Sequence, residues 1–181
     1  MDMGIISNIF FILFFTSFLI SLFLTPLIRK IALKKGYVSK PREDRWHKEE
    51  TALFGGIAIF ISFMVPYAVF ALPGREALGI MVCGTIIFGL GLFDDIKRIK
   101  PYTKVIGQII VASLLVSFGV NIKVIPYPII GMPLTILWVV AIINAFNLLD
   151  NMDGLSAGIG TIVSAVIFLF AFLTKDALLA L

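Results

Sequence analysis

The sequence predicts an all-α integral membrane protein with about six transmembrane helices, forming a single polytopic domain over residues 1–181. Of these residues, 60% are hydrophobic and 14% are charged, whereas soluble domains average about 25% charged residues. The mean hydropathy is +1.06, and a globule of 19.9 kDa has too little interior to bury so much apolar surface. These observations argue against a water-soluble fold.

Six apolar runs have the composition of membrane-spanning helices. They cover residues 5–28, 52–72, 77–93, 105–120, 133–149 and 155–173. A helix needs about 20 residues to cross roughly 30 Å of hydrocarbon, so the third, fourth and fifth runs are short unless their flanks are helical too. No Lys or Arg precedes the first run and no small-residue cleavage site follows it, so we interpret it as a retained anchor.

The basic residues are sorted by membrane side. Eight of the fifteen lie within twenty positions after the first run, and four more follow the third run. With alternating spans, twelve basic residues fall inside, and Arg75, Lys123 and Lys175 fall outside. Because cytoplasmic loops are enriched in Lys and Arg, the N-terminus is predicted to lie outside. The net charge of +4 is therefore assigned to topology and not to nucleic-acid binding.

The segment between the fourth and fifth runs reads NIKVIPYPIIGMP. Its β-branched residues are interrupted by Pro126, Pro128 and Pro133, so a long helix should not continue through it. A short outer β-hairpin or an extended loop is expected.

Aspartates mark the inner ends of the third and fifth runs. The four are Asp94, Asp95, Asp150 and Asp153. An aspartate in a spanning helix costs roughly 2.5–3.5 kcal/mol at the bilayer centre and less near an interface, so it usually faces a cavity, a partner or an ion. Mg²⁺ prefers one or two carboxylates plus phosphate oxygens, which predicts one shared cation site. The alternative is a solvated helix end, with Asp94 paired to Lys97 or Arg98.

Polar residues around the fifth run recur every three positions. They are Asn144, Asn147, Asp150 and Asp153. Each step of three rotates about 300° around a straight helix, so the first and last would face opposite sides. A helix break near residues 150–154 would let all four converge. Gln108, alone in the fourth run, is interpreted as an interhelical hydrogen-bonding residue.

Basic and glycine residues near the inner face have two interpretations. Arg45 and the only histidine, His47, either hold phosphates or mark the cytoplasmic side and attract anionic lipid. Two glycine pairs are expected to let helices approach closely, and the first pair has the alternative of giving a ligand access to the backbone. These pairs are Gly55 with Gly56, and Gly154 with Gly158.

The chain resembles the polyprenyl-phosphate N-acetylhexosamine-1-phosphate transferases of glycosyltransferase family 4, the MraY and WecA group. Three segments carry the resemblance, in the order PREDRWHKEETALFGGIAIF, GLGLFDDIKRIKPYTKVIGQ and NAFNLLDNMDGLSAG. Adjacent aspartates followed by an Asn-rich Asp-x-x-Asp-Gly turn form a specific combination. The first inner loop, with Pro41, Arg45 and His47 before two glycines, is more similar to the WecA and TagO branch.

The resemblance implies transfer of a sugar 1-phosphate from a UDP-N-acetylhexosamine to undecaprenyl phosphate, with release of UMP. It places this step at the cytoplasmic face of the inner (plasma) membrane, as the first membrane step of cell-envelope polysaccharide synthesis. Mg²⁺ is the implied cofactor, with Mn²⁺ as a substitute. The bilayer and the two substrates are the implied partners, and a homodimer is left open.

The resemblance also assigns roles to residues. Asp94 would position or deprotonate the lipid phosphate, and Asp150 would hold Mg²⁺. Asp95 and Asp153 would complete the acidic site. Five further residues are expected to bind the substrates or to support the metal: Asn144, Asn147, Arg45, His47 and Lys104.

Two departures from the family pattern stand out. Asn151 occupies a position where members commonly have Gly, and members are longer, with further helices and a histidine-rich inner loop. We therefore expect an N-terminal portion of a longer transferase, inactive without its downstream region.

Two rival functions come from other classes. A cation-coupled transporter would also place acids in helices, although usually near the midplane and with repeat symmetry. In a non-catalytic membrane assembly protein, the aspartates would only pair with loop lysines. The position of the acids at the inner ends favours chemistry on a lipid headgroup.

Overall fold

The computed structural model describes residues 3–39, 51–52, 54–70, 74–97, 99–150 and 154–174. Six helices form most of this part: α1 (Met3–Lys34), α2 (Gly55–Phe70), α3 (Arg75–Lys97), α4 (Pro101–Ser117), α5 (Pro128–Leu149) and α6 (Leu155–Thr174). Two short strands, β1 (Val38–Ser39) and β2 (Thr51–Ala52), pair antiparallel between α1 and α2. All six predicted helices are thereby confirmed.

The helices have the length and composition of membrane spans. Three of the described helical segments are long and apolar enough to cross a bilayer: Phe11–Lys34, Arg75–Lys97 and Pro128–Leu149. The third and fifth apolar runs were short in the sequence. In the structure they are long enough to cross a bilayer because their flanking residues are helical too. α2 and α4 have only 16 and 17 residues. At about 1.5 Å of rise per residue, they are shorter than these three segments. The chain is therefore an integral membrane protein.

The chain divides into two compact units, Met1–Ala71 with Phe146–Leu181, and Leu72–Ala145. In the first unit α1 packs against α2. Ala32 of α1 and Ala58 of α2 retain almost no exposure. The two-residue strand pair, with Val38 opposite Ala52, joins the chain segments that follow α1 and precede α2.

In the second unit α3 and α4 form an antiparallel pair that packs through glycines. A Cβ on Gly79 would stand 2.5 Å from Cβ of Phe118, and one on Gly107 would stand 2.9 Å from Cδ2 of Leu90. At Gly79 only a residue without a side chain allows this approach, whereas at Gly107 the flexible end of Leu90 can move aside. By contrast, no atom of the described chain lies within 4 Å of such a Cβ on either predicted glycine pair, 55/56 or 154/158. The glycines that pack α3 on α4 are thus not those chosen from the sequence.

Of the two structures expected between the fourth and fifth runs, the β-hairpin is wrong and the loop is confirmed. Residues 118–127 form turns without a strand, and α5 begins at Pro128 and runs through Pro133. The segment docks on α5 instead of pairing with itself, because the N–H of Ile122 donates to Oγ1 of buried Thr135 at 3.0 Å. Proline suits a first helical position, where its missing N–H has no helical partner to lose.

Candidate functional site

Asp94 lies in the last turn of α3, and both of its carboxylate oxygens accept hydrogen bonds. Oδ1 accepts from the backbone N–H of Ile99 at 3.0 Å, and Oδ2 accepts from Nζ of Lys104 at 2.8 Å. An acid at a helix C-terminus opposes the helix dipole by about 0.3–1 kcal/mol. Ile99 directly precedes Lys100, the N-cap of α4, so the carboxylate lies near the favourable end of a second helix.

The ion pair is largely withdrawn from solvent. The side chains of Lys104 and Asp94 retain 20% and 22% exposure. A charge pair with this little exposure is screened less than a surface pair. Neighbouring Asp95 is exposed. The structure therefore brings together two of the predicted site residues, an acid and a cation, at the α3–α4 turn.

Of the alternative partners of Asp94, Lys97 is not the one that the structure shows, and pairing with Arg98 stays a prediction. Nζ of Lys97 lies 5.4 Å from the ring centroid of Phe93, and Arg98 lies outside the described residues. Asp94 therefore bonds across the turn to the next helix, and its interaction with Lys104 joins α3 to α4.

The opposite end of the α3–α4 pair carries separate charged contacts. Nη2 of Arg75 donates to the carbonyl of Ser117 at 2.9 Å, and Lys123 pairs with Glu76 at 3.2 Å. α3 rises about 28 Å between Arg75 and Asp94. The residues assigned to the two membrane sides thus lie at opposite ends of this unit, as the charge pattern predicts.

A buried amide pair joins α4 to α5. Nδ2 of Asn144 donates to Oε1 of Gln108 at 2.6 Å and to the carbonyl of Val140 at 2.8 Å. Gln108 is 1% exposed, and it is the largest fully buried side chain of the described chain. The interpretation of Gln108 as an interhelical hydrogen-bonding residue is confirmed.

The predicted helix break near residue 150 is confirmed. α5 ends at Leu149, and the N–H of Asp150 still donates to the carbonyl of Phe146 at 3.0 Å. Gly154, with φ of +73°, accepts the first hydrogen bond of α6 from Gly158. Such a left-handed residue cannot continue one straight helix, and glycine adopts it without steric cost. Asn147 and Asp150 are both exposed near this break.

The family model described as Glycosyl transferase family 4 matches residues 77–181. The chain belongs to glycosyl transferase family 4. The matched residues include the adjacent acids Asp94 and Asp95, Lys104, and the polar series from Asn144 to Asp153. The match confirms the resemblance drawn from the sequence motifs. No solved structure matches the chain significantly.

Several curated relatives of this family 4 chain carry specific names. It is 34% identical over 178 residues to a decaprenyl-phosphate N-acetylglucosaminephosphotransferase of Mycobacterium tuberculosis (strain CDC 1551 / Oshkosh), which covers 86% of this chain and 44% of the relative. It is 32% identical over 168 residues to a probable undecaprenyl-phosphate N-acetylglucosaminyl 1-phosphate transferase of Bacillus subtilis (strain 168), with 87% and 47% coverage. The chain spans about half the length of the curated relatives it matches.

Two neighbouring carboxylates at the end of α3 are candidate cation ligands of this family 4 chain. Asp94 and Asp95 offer adjacent carboxylates, and Asp94 already holds an ammonium at 2.8 Å. Oxygen donors of this kind suit Mg²⁺. Within the described residues, however, no group of three or more His, Cys, Asp or Glu side chains is assembled. Asp94 and Asp150 belong to different units, so convergence of the four aspartates stays a prediction.

Three predicted site residues, Arg45, His47 and Asp153, lie outside the described part of the family 4 chain. Two contacts were not anticipated. The pairing of Asp94 with Lys104 could have been inferred from Pro101, because proline marks the first turn of a new helix and Lys104 follows within that turn. The choice of Asn144 as the partner of Gln108 carries no comparable sequence signal.

Proposed function

We propose that this family 4 chain carries active-site residues of an enzyme that transfers N-acetylglucosamine 1-phosphate from UDP-N-acetylglucosamine to undecaprenyl phosphate. The observation that carries the proposal is the ion pair of Asp94 with Lys104 at the end of two apolar helices. It places an acid beside a cation that can bind phosphate. The names of the relatives, which couple a polyprenyl phosphate with N-acetylglucosamine phosphate, support the same reaction.

The proposed reaction exchanges one phosphoanhydride bond for another. An oxygen of the lipid phosphate attacks the phosphorus that bears the sugar. The bond from this phosphorus to the bridging oxygen breaks, and UMP leaves with that oxygen. Both reactants are anionic, so the site has to offset their mutual repulsion.

Lys104 and Asp94 have complementary roles in this proposal. Lys104 binds phosphate oxygens of the incoming diphosphate, which a compact ammonium suits. Asp94, released from Lys104, accepts a hydrogen bond from the P–OH of the singly protonated lipid phosphate and takes its proton as the oxygen attacks. An ionised carboxylate has acceptor oxygens only, so Asp94 bonds the protonated form of the lipid phosphate and not the dianion.

A bound Mg²⁺ would neutralise charge on the diphosphate and polarise its phosphorus–oxygen bonds. In this chain, Asp150 is the proposed ligand, with Asp95 and Asp153 completing the acidic site. Asn147 and Asn144 support the nucleotide or the ligand shell. Arg45 and His47 in the first inner loop are proposed phosphate contacts, and the reaction is assigned to the cytoplasmic face.

Release of UMP tests the proposal. The complete gene product is incubated in detergent with UDP-N-acetylglucosamine, undecaprenyl phosphate and MgCl₂. We expect UMP and lipid-linked sugar in equal amounts, and loss of both with EDTA. Asp94→Asn should lower turnover about 100-fold or more, since positioned acid and base groups typically contribute that much.

Glu76→Gln is the matched control, because it removes an acid paired with a lysine at the other end of the same helix. Its pair is exposed, so turnover should stay within about twofold of wild type. Equal losses in the two variants, or wild-type protein that moves ions across vesicles and releases no UMP, would refute the transferase proposal.

A further inference from the structure

The amide pair between α4 and α5 defines which atom Asn144 presents to its surroundings. The carbonyl of Val140 can only accept a hydrogen bond, so the Asn144 atom 2.8 Å away has to be the amide nitrogen. The same nitrogen donates to Gln108, whose contacting atom is therefore its oxygen. Both described hydrogen bonds of Asn144 use Nδ2, which turns Oδ1 to the other side of the carboxamide.

Burial of Gln108 stabilises this orientation of the Asn144 carboxamide. Gln108 is 1% exposed, whereas Asn144 is only half-buried. A buried amide oxygen that lost its donor would cost about 1–3 kcal/mol, so Gln108 strongly favours the Asn144 rotamer that donates to it. Asn144 thus stands between a fixed buried partner and the accessible surface.

The position of the pair along the helices points to function. Gln108 lies one turn after Lys104 on α4, and Asn144 lies one turn before Asn147 on α5. Both neighbours are residues of the proposed site. An amide pair needed only to join helices could lie anywhere along them, but this pair adjoins the polar end of each.

We propose that Gln108 is a positioning residue that makes Asn144 present its carbonyl oxygen to the nucleotide or to the ligand shell of the metal. The inference rests on the proposed transferase function. An amide oxygen is an acceptor that suits an N–H of the nucleotide base, a metal-bound water or Mg²⁺ itself. Without Gln108, the Asn144 carboxamide can rotate and present its nitrogen, which repels a cation.

A double-mutant cycle on turnover tests this role. Gln108→Met keeps side-chain length and apolar packing but removes the acceptor. We expect it to lower kcat/KM for UDP-N-acetylglucosamine about 10-fold or more, as loss of a residue that orients a ligand typically does. In an Asn144→Ala background the same change should alter kcat/KM by less than about twofold, because Gln108 acts through Asn144.

Thr135→Val is the matched control, since it removes a buried polar contact at the other end of α5. It should lower the melting temperature without a separate loss of kcat/KM. If Gln108→Met retains wild-type kcat/KM, or if its effect multiplies with that of Asn144→Ala, Gln108 has no positioning role. Gln108→Leu repeats the test should the Met variant fold poorly.

The two proposals fail in different ways. Wild-type protein that releases no UMP refutes the transferase function and, with it, the role of Gln108. Active wild-type protein with an equally active Gln108→Met variant refutes only the positioning role.

Discussion

Asp94 and Lys104 combine a structural and a proposed chemical role in one contact. The carboxylate joins the end of α3 to the start of α4 through the N–H of Ile99 and the ammonium of Lys104. The contact holds two groups of opposite charge together at the α3–α4 turn, where the proposed phosphate chemistry would take place.

Lys104→Met tests the cation separately from the acid. We expect turnover to fall about 100-fold, which is typical when one charged group that stabilises a transition state is removed. Lys100→Met is the matched control, since Lys100 lies one turn earlier and its Nζ is 5.8 Å from the Tyr102 ring centroid. Exposed substitutions of this kind have small effects, so its turnover should stay within about twofold. A similar loss in both variants would indicate a general need for positive charge.

At the scale of the element, glycines determine how closely α3 and α4 approach. Gly79 faces the Cβ of Phe118, a position fixed by the backbone, whereas Gly107 faces the flexible end of Leu90. The two contacts lie toward opposite ends of the helix pair. Between them, α4 buries Gln108, Val111 and Ala112. The spacing of the two helices thus follows from contacts outside the polar site.

Gly79→Ala and Gly107→Ala should therefore differ in stability. The added methyl group at position 79 has no room unless the backbone shifts, and overpacking of this kind costs about 1–3 kcal/mol. At position 107 the Leu90 side chain can rotate, so the loss should be smaller. Thermal unfolding in detergent measures the difference. Equal melting temperatures for the two variants would show that the helices move apart easily.

For the whole molecule, the charge distribution and the helix order predict one orientation in the membrane. Within the second unit, Lys100 and Lys104 lie at one end of α3 and α4, and Arg75 and Lys123 are associated with the other. Cytoplasmic enrichment of Lys and Arg predicts that the end with the acid pair faces inward. A cytosolic nucleotide sugar would then meet the site directly.

Cysteine accessibility tests this orientation in intact cells. A membrane-impermeant maleimide should label Lys123→Cys from outside, and Lys100→Cys only after permeabilisation. The native Cys83 is buried and is not expected to react. Labelling of both positions from the same side would contradict the six-span topology.

The sequence could predict much of the fold because lipid imposes simple rules on it. Each span must be a long apolar run with its backbone bonded internally, so the six helices follow from composition. The break between α5 and α6 follows from Gly154 and the short polar segment before it. The hairpin was mispredicted because β-branched residues indicate strand only when a partner strand is available, and here the segment docks on Thr135.

By itself, the sequence determined the membrane class, the helix order and the family motifs, and it supplied the residue types of the proposed site. The tertiary structure alone decided which of several lysines Asp94 bonds, which glycines pack the helices, and that Gln108 holds Asn144. The physical reason is that composition and period act along one helix, whereas partner choice depends on the rotation and distance between helices. Those quantities are set by side-chain packing across the contact, which no single segment encodes.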